Sequence, residues 1–208
     1  LGVEASKAMY LTIDRHAAPF RLVNSGFYGL AVEAGKKYDL RFYIKAAPGY
    51  KGGVTAEILT AQNEVIASKR FTLKGDGEWK YFEAFMKPSQ TMNDGRFALR
   101  FDSAGALEID YVSLFPQETF HDRSNGLRRD VAQFVADLKP AFMRWPGGCI
   151  VEGLTLDNRV KWKETIGDPI KRPGEYNLWG YRSTYGFGYH EFLQFCEDIG
   201  AEGMFVCN

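Results

Sequence analysis

The sequence predicts a fold in two parts, an antiparallel β-sandwich followed by an α/β segment with a parallel sheet. From Tyr10 to about Phe115, short alternating runs of apolar and polar residues are separated by turn residues, which is typical of strands. After Pro116 the apolar residues take the spacing of helices, and each helical stretch is followed by a short apolar run. We therefore divide the 208 residues into a sandwich domain at 1–116 and an α/β domain at 117–208.

The composition indicates a globular protein with a neutral partner. Hydrophobic residues make up 45% of the chain and charged residues 25%, which argues against disorder and against a coiled coil. Lysine plus arginine and aspartate plus glutamate both number 26, so no net field attracts nucleic acid or an anionic membrane. No apolar run approaches the ~20 residues of a membrane span, and the N-terminus lacks a basic-then-apolar signal. We expect no nucleic-acid partner and no membrane span, and any export signal would lie outside this sequence.

The cysteines and histidines form no pattern that predicts a cross-link or a metal site. The three cysteines lie in the last third of the chain, and an odd number at these spacings is not a disulfide framework. The three histidines are scattered, so a zinc site is not indicated either. We therefore expect no metal ion and no cofactor.

Two alternating runs predict the core of the sandwich. Alternate apolar residues share one face of each run: Tyr38, Leu40, Phe42 and Ile44 in the first, and Phe97, Leu99 and Phe101 in the second. We expect the core to include Leu40, Phe42, Phe97, Leu99 and Phe101. Turn residues separate the runs: Pro48-Gly49, Lys51-Gly52-Gly53, Gly75-Asp76-Gly77 and Asn93-Asp94-Gly95. This spacing is typical of an antiparallel module of two sheets.

Aromatic side chains make up 15% of the sequence, a proportion that suits sugar recognition as well as the filling of a sandwich core. Trp79 begins an alternating strand, so we expect it to pack rather than to bind sugar. Tyr50 lies in a Pro-Gly-Tyr-Lys-Gly-Gly turn where it can scarcely be buried. It is therefore the better candidate for a sugar platform on the sandwich.

Two helix-then-strand units follow the sandwich. The first helix is predicted by apolar residues on one face: Leu127, Val131, Phe134, Val135 and Leu138. Asn125 is its predicted cap, and Lys139-Pro140 ends it. The second helix has the stripe Phe192, Leu193, Cys196 and Ile199, and Gly200 ends it before a buried strand at Met204, Phe205, Val206 and Cys207. Two such units in succession imply a parallel sheet.

The turn after the first of these strands is a candidate site. Ala141 to Met143 reads as a strand that ends at about Arg144, because Pro146 cannot donate to a sheet. Gly147 and Gly148 allow positive φ and a close approach of a ligand to the backbone. Loops at the carboxyl ends of parallel strands bind ligands, so Arg144 and Cys149 are placed like site residues. An ordinary turn with Arg144 paired to a neighbouring carboxylate remains the alternative.

A long connection joins this turn to the second helix. Residues 151–189 are rich in rings mixed with basic side chains: Trp162, Tyr176, Trp179, Tyr181, Tyr185 and Phe187 beside Lys161, Lys163, Lys171 and Arg172. Long loops in compact domains are usually functional. This one predicts either the walls of a sugar site or a loop that packs its own rings together.

Several motifs, taken in order, resemble the α-L-arabinofuranosidases of glycoside hydrolase family 51. They are Asp110-Tyr111-Val112-Ser113-Leu114-Phe115-Pro116, Asn125-Gly126-Leu127-Arg128-Arg129-Asp130, Arg144-Trp145-Pro146-Gly147-Gly148-Cys149, Trp162-Lys163-Glu164-Thr165-Ile166-Gly167, and Gly188-Tyr189-His190-Glu191-Phe192 with the following Cys196 to Glu202. The family consists of retaining enzymes with a (β/α)8 barrel. The sandwich resembles jelly-roll carbohydrate-binding modules and the domain that one branch of the family inserts ahead of the Gly-Gly motif.

The resemblance implies that the chain is a fragment, with a carbohydrate-binding-like domain at 1–116 and the incomplete N-terminal part of the barrel at 117–208. It implies substrate binding by Arg144, Gly148, Cys149 and Trp179, with Trp179 near the leaving-group side. Many relatives have Asn where this chain has Cys149. The catalytic acid/base and nucleophile, both glutamates in the family, are expected beyond Asn208, so this chain alone should be inactive. We read the local candidates as structural or solvated: Glu152, Glu191, Glu197 and Glu202.

The resemblance also implies a function. The whole enzyme would release terminal α-L-arabinofuranosyl residues from arabinan, arabinoxylan or related plant polysaccharides, outside the cell or in the periplasm. The alternative from another class is a non-catalytic carbohydrate-binding module. A partial barrel leaves an unpaired sheet edge and an apolar face, which favour pairing with another copy, so a homo-oligomer is also expected.

Overall fold

The computed structural model describes residues 8–124 and 126–208. Within them the chain divides into two compact units, Ala8–Glu118 and Thr119–Asn208. The first unit is built from strands, and the second mixes short helices with short strands. None of the helices in the described ranges is long and apolar enough to cross a membrane.

The first unit is an antiparallel sandwich of two sheets. Its strands are β1 (Met9–Ile13), β2 (Phe20–Asn24), β3 (Leu30–Val32), β4 (Tyr38–Ala46), β5 (Gly53–Leu59), β6 (Val65–Thr72), β7 (Trp79–Met86), β8 (Met92–Phe101) and β9 (Gly105–Pro116). One sheet has the order β1-β9-β4-β7, and the other has β2-β8-β5-β6 with β3 also paired to β8. This confirms the sandwich that the alternating pattern predicts.

The core of the sandwich lies between the two sheets. Leu40 and Phe42 of β4 are fully buried, and so are Leu99 and Phe101 of β8. The ring of Phe42 meets that of Phe71 in the opposite sheet, with 5.1 Å between centroids. Alternate residues of a strand point to the same face, so each run buries its apolar half against the other sheet. Phe97 is only partly buried, although it packs against this core.

Tyr50 contradicts its prediction as an exposed sugar platform. It is 7% exposed and belongs to the sandwich core. Glycines create the space for it, because a Cβ at Gly105 would lie 2.7 Å from the Tyr50 ring, and one at Gly52 would lie 3.1 Å from it. The turn that was predicted to expose Tyr50 therefore buries its ring.

One predicted turn is also wrong. Asn93, Asp94 and Gly95 lie within β8, where Gly95 pairs with Leu30 of β3. A Cβ at Gly95 would come 2.9 Å from the Leu30 carbonyl oxygen. The glycine thus permits the close approach of a neighbouring strand, which is a second use of glycine in β structure.

The second unit contains three α-helices, four strands and several single-turn 3-10 helices in the part of the chain that the structure describes. The helices and strands are α1 (Arg129–Asp137), β10 (Phe142–Trp145), α2 (Cys149–Glu152), β11 (Glu175–Tyr176), β12 (Arg182–Ser183), α3 (Tyr189–Ile199) and β13 (Glu202–Phe205). The 3-10 helices span Phe120–Asp122, Leu156–Asn158, Trp162–Thr165 and Pro169–Lys171. Strands β10 and β13 are parallel, as the two helix-then-strand units predict, and β11 and β12 form an antiparallel hairpin.

Helix α1 is shorter than predicted, and its apolar stripe is largely uncovered. The helix begins at Arg129 with Arg128 as its N-cap residue, so Leu127 precedes it. The predicted cap Asn125 lies outside the described residues. Ala132 and Val135 pack with Phe120 and Phe195. Other stripe residues are exposed to solvent: Val131 by 53%, Phe134 by 71% and Leu138 by 69%.

The two parallel strands differ from prediction at their ends and in burial. Strand β10 continues to Trp145, because Pro146 lacks only its own donor and the Trp145 carbonyl still accepts a hydrogen bond from the Val206 N–H at 2.8 Å. Strand β13 begins at Glu202, two residues before Met204, and ends before Cys207. It is not buried, since Met204 and Phe142 of the adjacent strand β10 are both more than half exposed. A sheet of two strands has one face against α3 and leaves the other uncovered.

Helix α3 confirms its predicted end and part of its predicted stripe. Phe192 and Cys196 are buried, but Leu193 is exposed, and the buried Phe195 was not predicted. Gly200 follows the helix in the left-handed conformation, with φ +68°. A Cβ at Gly203 would lie 3.1 Å from a Leu193 methyl carbon, so the helix lies close against β13. This packing holds β13 against α3, and β13 pairs with β10, the strand at whose end the candidate site begins.

Candidate functional site

The candidate site begins at the turn that follows β10. Gly147 has φ +126°, which a side chain would strain, and a Cβ there would lie 4.0 Å from the Arg144 guanidinium. Gly148 has a negative φ, contrary to the expectation for both glycines, and it precedes α2 as its N-cap residue. The space around Gly148 is open, and Cys149 and Arg144 are exposed. These side chains are accessible to a ligand.

Beside this turn lies a cavity of about 310 Å³. Aromatic side chains form much of its wall, together with one carboxylate and the hydroxyl groups of one serine and two threonines. The lining residues are Trp145, Pro146, Ile150, Val160, Thr165, Glu175, Trp179, Tyr181, Ser183, Thr184, Tyr185, Gly186 and Phe187. Apolar walls with a few polar groups are typical of small-molecule sites.

The structure brings one of the four proposed sugar-binding residues into this wall. Trp179 lines the cavity together with Trp145 and Pro146 of the turn. Arg144, Gly148 and Cys149 belong to the same turn but are not among the lining residues. The long connection therefore folds back onto the end of β10.

The floor of the site is a cluster of rings around Trp145. Its ring is 5.7 Å from Phe192 of α3, 5.6 Å from Phe205 of β13 and 5.4 Å from Phe187 of the connection, measured between centroids. Trp162 likewise meets Tyr189, with 5.3 Å between centroids. Part of the connection therefore packs its own rings, as one alternative predicted, while Trp179 and Tyr181 stay exposed beside the cavity.

The hairpin β11–β12 holds Trp179 and Tyr181 in place. Asn177 is buried, and its side-chain oxygen accepts a hydrogen bond from the Trp179 N–H at 2.9 Å, while its amide donates to the Ser183 hydroxyl at 3.0 Å. The Asn177 N–H donates to the Tyr181 carbonyl at 2.9 Å. Gly180 takes φ +84°, which closes the turn. The loop that carries the two rings is thus bonded at both ends.

Glu175 and Tyr185 form a buried pair in the cavity wall. The Tyr185 hydroxyl donates to Glu175 Oε2 at 2.8 Å and accepts from the Lys161 N–H at 3.3 Å. Burial raises the pKa of Glu175, and the hydrogen bond from Tyr185 and the charge of Lys161 offset this only in part. Burial and the carboxylate together raise the pKa of Tyr185. Glu175 is therefore a carboxyl group that holds its proton more readily than an exposed glutamate.

The sequence reading missed Glu175, because the residue types of Glu175-Tyr176-Asn177 predict a buried tyrosine between two exposed polar side chains. Glu175 and Asn177 are buried and Tyr176 between them is exposed, which is the two-residue period of a strand. The run is only a few residues long and follows a proline and a glycine, so it reads as a loop. A period of two is hard to recognise over three residues.

An ion pair between Arg172 of the long connection and Glu191 of α3 joins these two segments. The buried Arg172 guanidinium donates to both carboxylate oxygens of Glu191, at 2.7 and 3.0 Å, and also to the carbonyls of Gly167, Tyr185 and Gly186. Burial raises the pKa of Glu191, but the hydrogen bonds from Arg172 and from the Gly188 N–H outweigh it and leave the pKa below its usual value. Glu191 is structural, which is one of the two roles expected for it.

Comparisons with known proteins agree with this architecture. The family model described as the α-L-arabinofuranosidase 1 domain matches residues 134–208. The extracellular exo-α-L-arabinofuranosidase of Streptomyces chartreusis is 35% identical over 192 residues, which cover 86% of this chain and 22% of that protein. The α-L-arabinofuranosidase 2 of Arabidopsis thaliana is 34% identical over 209 residues, which cover 96% of this chain and 30% of that protein.

A solved structure shows the same fold over nearly the whole chain. The arabinose-bound MgGH51 α-L-arabinofuranosidase superposes with a TM-score of 0.86 and is 29% identical, over 95% of this chain and 33% of that one. The chain thus spans about a third or less of the relatives that it matches. By sequence and by fold, the chain matches a part of the α-L-arabinofuranosidases of glycoside hydrolase family 51.

Proposed function

We propose that the protein containing this chain is a retaining α-L-arabinofuranosidase that releases terminal α-L-arabinofuranosyl residues from arabinan, arabinoxylan or related plant polysaccharides. The observation that carries the proposal is the match to arabinofuranosidases through both units, over 86% and 96% of the chain in two relatives. A carbohydrate-binding module alone would account for the first unit only. The match in the second unit favours the enzyme.

The two units have separate parts in this proposal. Residues 1–116 form a carbohydrate-binding-like domain, and residues 117–208 form the N-terminal part of a (β/α)8 barrel. The parallel pair β10 and β13, with α3 between them in the chain, has the order of a barrel unit. The candidate site lies next to the end of β10, and barrel enzymes bind substrate at that end of their strands.

Each proposed sugar-binding residue has a physical role. The exposed Arg144 guanidinium offers a planar fork of donors, which can hold sugar hydroxyls or a catalytic carboxylate in place. Trp179 offers a ring face for stacking. The open space around Gly148 allows close approach, and Cys149 contributes a small apolar contact with a weak donor.

The retaining mechanism requires two carboxyl groups about 5 Å apart, one as nucleophile and one as acid/base. Among the lining residues of the cavity, Glu175 is the single carboxylate. Tyr185 occupies one of its oxygens, and the hairpin buries it. We therefore assign the catalytic pair to the part of the enzyme beyond this chain and give Glu175 no catalytic role.

The proposed setting is extracellular or periplasmic, and a homo-oligomer is proposed as the assembly. The description of the Streptomyces chartreusis relative as extracellular supports the first point. The exposed apolar side chains of α1 and β10 support the second, because large apolar patches favour association.

The experiment uses a protein that contains this chain together with the rest of a family 51 sequence, assayed on 4-nitrophenyl α-L-arabinofuranoside. We expect hydrolysis with retention, and a fall in kcat/KM of about 100-fold or more in Arg144→Ala, because the sugar loses its fixed donors. Arg41→Ala is the control, since Arg41 is an exposed arginine on β4 of the sandwich. No hydrolysis by the wild type, or equal rates in Arg144→Ala and Arg41→Ala, would contradict the proposal.

A further inference from the structure

We propose that Tyr181 is a second sugar-stacking ring beside Trp179, and that the turn from Asn177 to Tyr181 is a preformed platform for a neutral sugar unit on the leaving-group side of the cleaved bond. The inference rests on the proposed function and extends it. Trp179 was expected to form a wall on that side, whereas Tyr181 was named only among the rings of the connection and was not one of the four proposed substrate-binding residues. The platform would contact the glycan chain that carries the arabinose.

The first argument is exposure. Trp179 is 58% exposed and Tyr181 is 54% exposed, although both rings line the same cavity. Other aromatic side chains of the connection are covered, as with Tyr185 and the ring cluster around Trp145, and the exposed Tyr176 does not line the cavity. Adjacent exposed rings at a cavity mouth mark a binding surface more often than a packing defect.

The second argument is ring geometry. The two rings are nearly parallel, with 21° between their planes and 6.5 Å between their centroids. This separation lies near the upper end for an offset stack, so the rings overlap little and present neighbouring faces. Sugars have faces of C–H groups that pack on aromatic rings, and two neighbouring faces suit two contacts along an oligosaccharide.

The third argument is the polar environment. Ser183 and Thr184 line the cavity beside the rings and carry hydroxyl groups that can donate and accept hydrogen bonds. The Ser183 hydroxyl accepts from the Asn177 amide and the Thr184 hydroxyl accepts from the Gly186 N–H, and each O–H group can also donate to an oxygen of a bound partner. A sugar offers both kinds of contact at once. The combination of ring faces with hydroxyl groups therefore favours a carbohydrate over an apolar peptide segment.

The fourth argument is preorganisation. Asn177 fixes the turn from within, through its bonds to the Trp179 N–H and the Ser183 hydroxyl, and it is buried. The Gly180 N–H adds a bond to the Asn177 carbonyl at 3.2 Å. A surface that is already ordered loses less conformational entropy on binding, which strengthens binding to a given ligand. The platform is thus formed before the sugar arrives.

Tyr176 on the same hairpin provides a matched control. Its ring is 64% exposed but is not among the lining residues of the cavity. Its hydroxyl donates to the Gly180 carbonyl at 2.8 Å. Removing it takes one exposed ring from the hairpin and leaves both cavity rings in place.

The test is an NMR titration of this 208-residue chain with an α-1,5-linked arabinotriose at millimolar concentration, following the indole N–H of Trp179. We expect a saturable shift in the wild type and an affinity about tenfold weaker in Tyr181→Ala, corresponding to the loss of one ring contact. Tyr176→Ala should bind within about twofold of the wild type.

Three results would overturn the proposal: no saturable shift in the wild type, wild-type affinity in Tyr181→Ala, or equal losses in Tyr176→Ala and Tyr181→Ala, which would indicate a general effect on the hairpin. Failure of the proposed function is a separate result, because it shows as absent hydrolysis in the longer protein. If the longer enzyme is active and Tyr181→Ala binds the sugar as tightly as the wild type, the proposed sugar platform is wrong and the proposed enzymatic function is still supported.

Discussion

Two glutamates of the second unit differ in how their carboxyl groups are held. Glu175 is buried, and the Tyr185 hydroxyl donates to its Oε2, whereas its Oε1 has no hydrogen-bond partner among the described residues. Burial raises the pKa of Glu175 above the usual value of 4.5. Glu191 faces the Arg172 guanidinium and the Gly188 N–H, and its pKa lies below 4.5. Relative to an exposed glutamate, Glu175 therefore holds its proton more tightly in the folded protein, and Glu191 less tightly.

This difference predicts opposite effects of pH on two variants. Because Glu175 binds its proton more tightly in the folded state, its contribution to stability falls as pH rises above 4.5. The contribution of Glu191 is present above 4.5 and is lost as pH falls through its lower folded pKa. Relative to the wild type, Glu175→Gln should gain stability as pH rises, and Glu191→Gln should lose it.

Urea denaturation at about pH 4 and about pH 8 measures both trends, since each variant is compared with the wild type at the same pH. The comparison across pH cancels any constant effect of the amide side chain. Parallel trends in the two variants would show that the two carboxyl groups are held alike.

Leu99 gives a second prediction at this scale. The side chain is fully buried between the sheets, so Leu99→Ala should lower the free energy of unfolding by ~2 to 5 kcal/mol. Val65→Ala, at a half-exposed position of β6, should cost less than about 0.5 kcal/mol. Equal and small losses in denaturant titrations would place Leu99 outside the core.

The burial of individual residues was predicted well where the alternation of a strand determines which face of the sheet each side chain occupies. Leu40, Phe42, Leu99 and Phe101 are buried because alternation over many residues fixes which face they share. The prediction for Tyr50 was wrong because space for its ring depends on Gly105, which is distant in sequence, so a local pattern does not reveal the burial.

At the scale of elements, helix α1 has an apolar face without cover in the described part of the chain. The double variant Phe134→Gln and Leu138→Gln should therefore reduce self-association without lowering stability by more than about 0.5 kcal/mol. Light scattering over a range of protein concentrations measures the first effect, and denaturant titration measures the second. Ala132→Gln is the contrasting change, because Ala132 is buried and its replacement should destabilise the unit.

A loss of stability in the double variant as large as in Ala132→Gln would mean that Phe134 and Leu138 are packed. An unchanged degree of association would mean that another surface joins the copies.

The sequence predicted the strands and helices better than their ends or partners. The spacing of apolar residues identified β4, β8, α3 and the parallel pair, because this spacing within a single segment predicts whether the segment is a strand or a helix. The hairpin β11–β12 was not predicted, since strands of two residues have no usable period. Neither was the early start of β13, where Glu202 joins the strand through pairing with Phe142.

For the whole molecule, we expect no arabinofuranosidase activity from this chain alone. The cavity in the described residues contains one carboxylate, Glu175, and retaining hydrolysis needs two about 5 Å apart. Purified chain on 4-nitrophenyl α-L-arabinofuranoside should match buffer. Turnover that follows the protein through purification and disappears in Glu152→Gln would show that the catalytic groups have been misplaced.

The fold class of the whole molecule followed from a change of period near Pro116, since a shift from alternation to helical spacing separates two architectures. The candidate site did not follow in the same way. Trp179 lines the same cavity as Pro146 because the connection of almost forty residues folds back, and no local pattern in that segment specifies its path.

The contrast between Trp145 and Trp179 gives the protein two natural optical reporters. Trp145 lies among Phe187, Phe192 and Phe205, whereas the indole of Trp179 is largely in water. With Trp79 and Trp162 replaced by phenylalanine, acrylamide should quench the emission of Trp179 first, and the remaining light should come from shorter wavelengths. Emission colour would then report separately on the packing of the barrel segment and on occupancy of the hairpin.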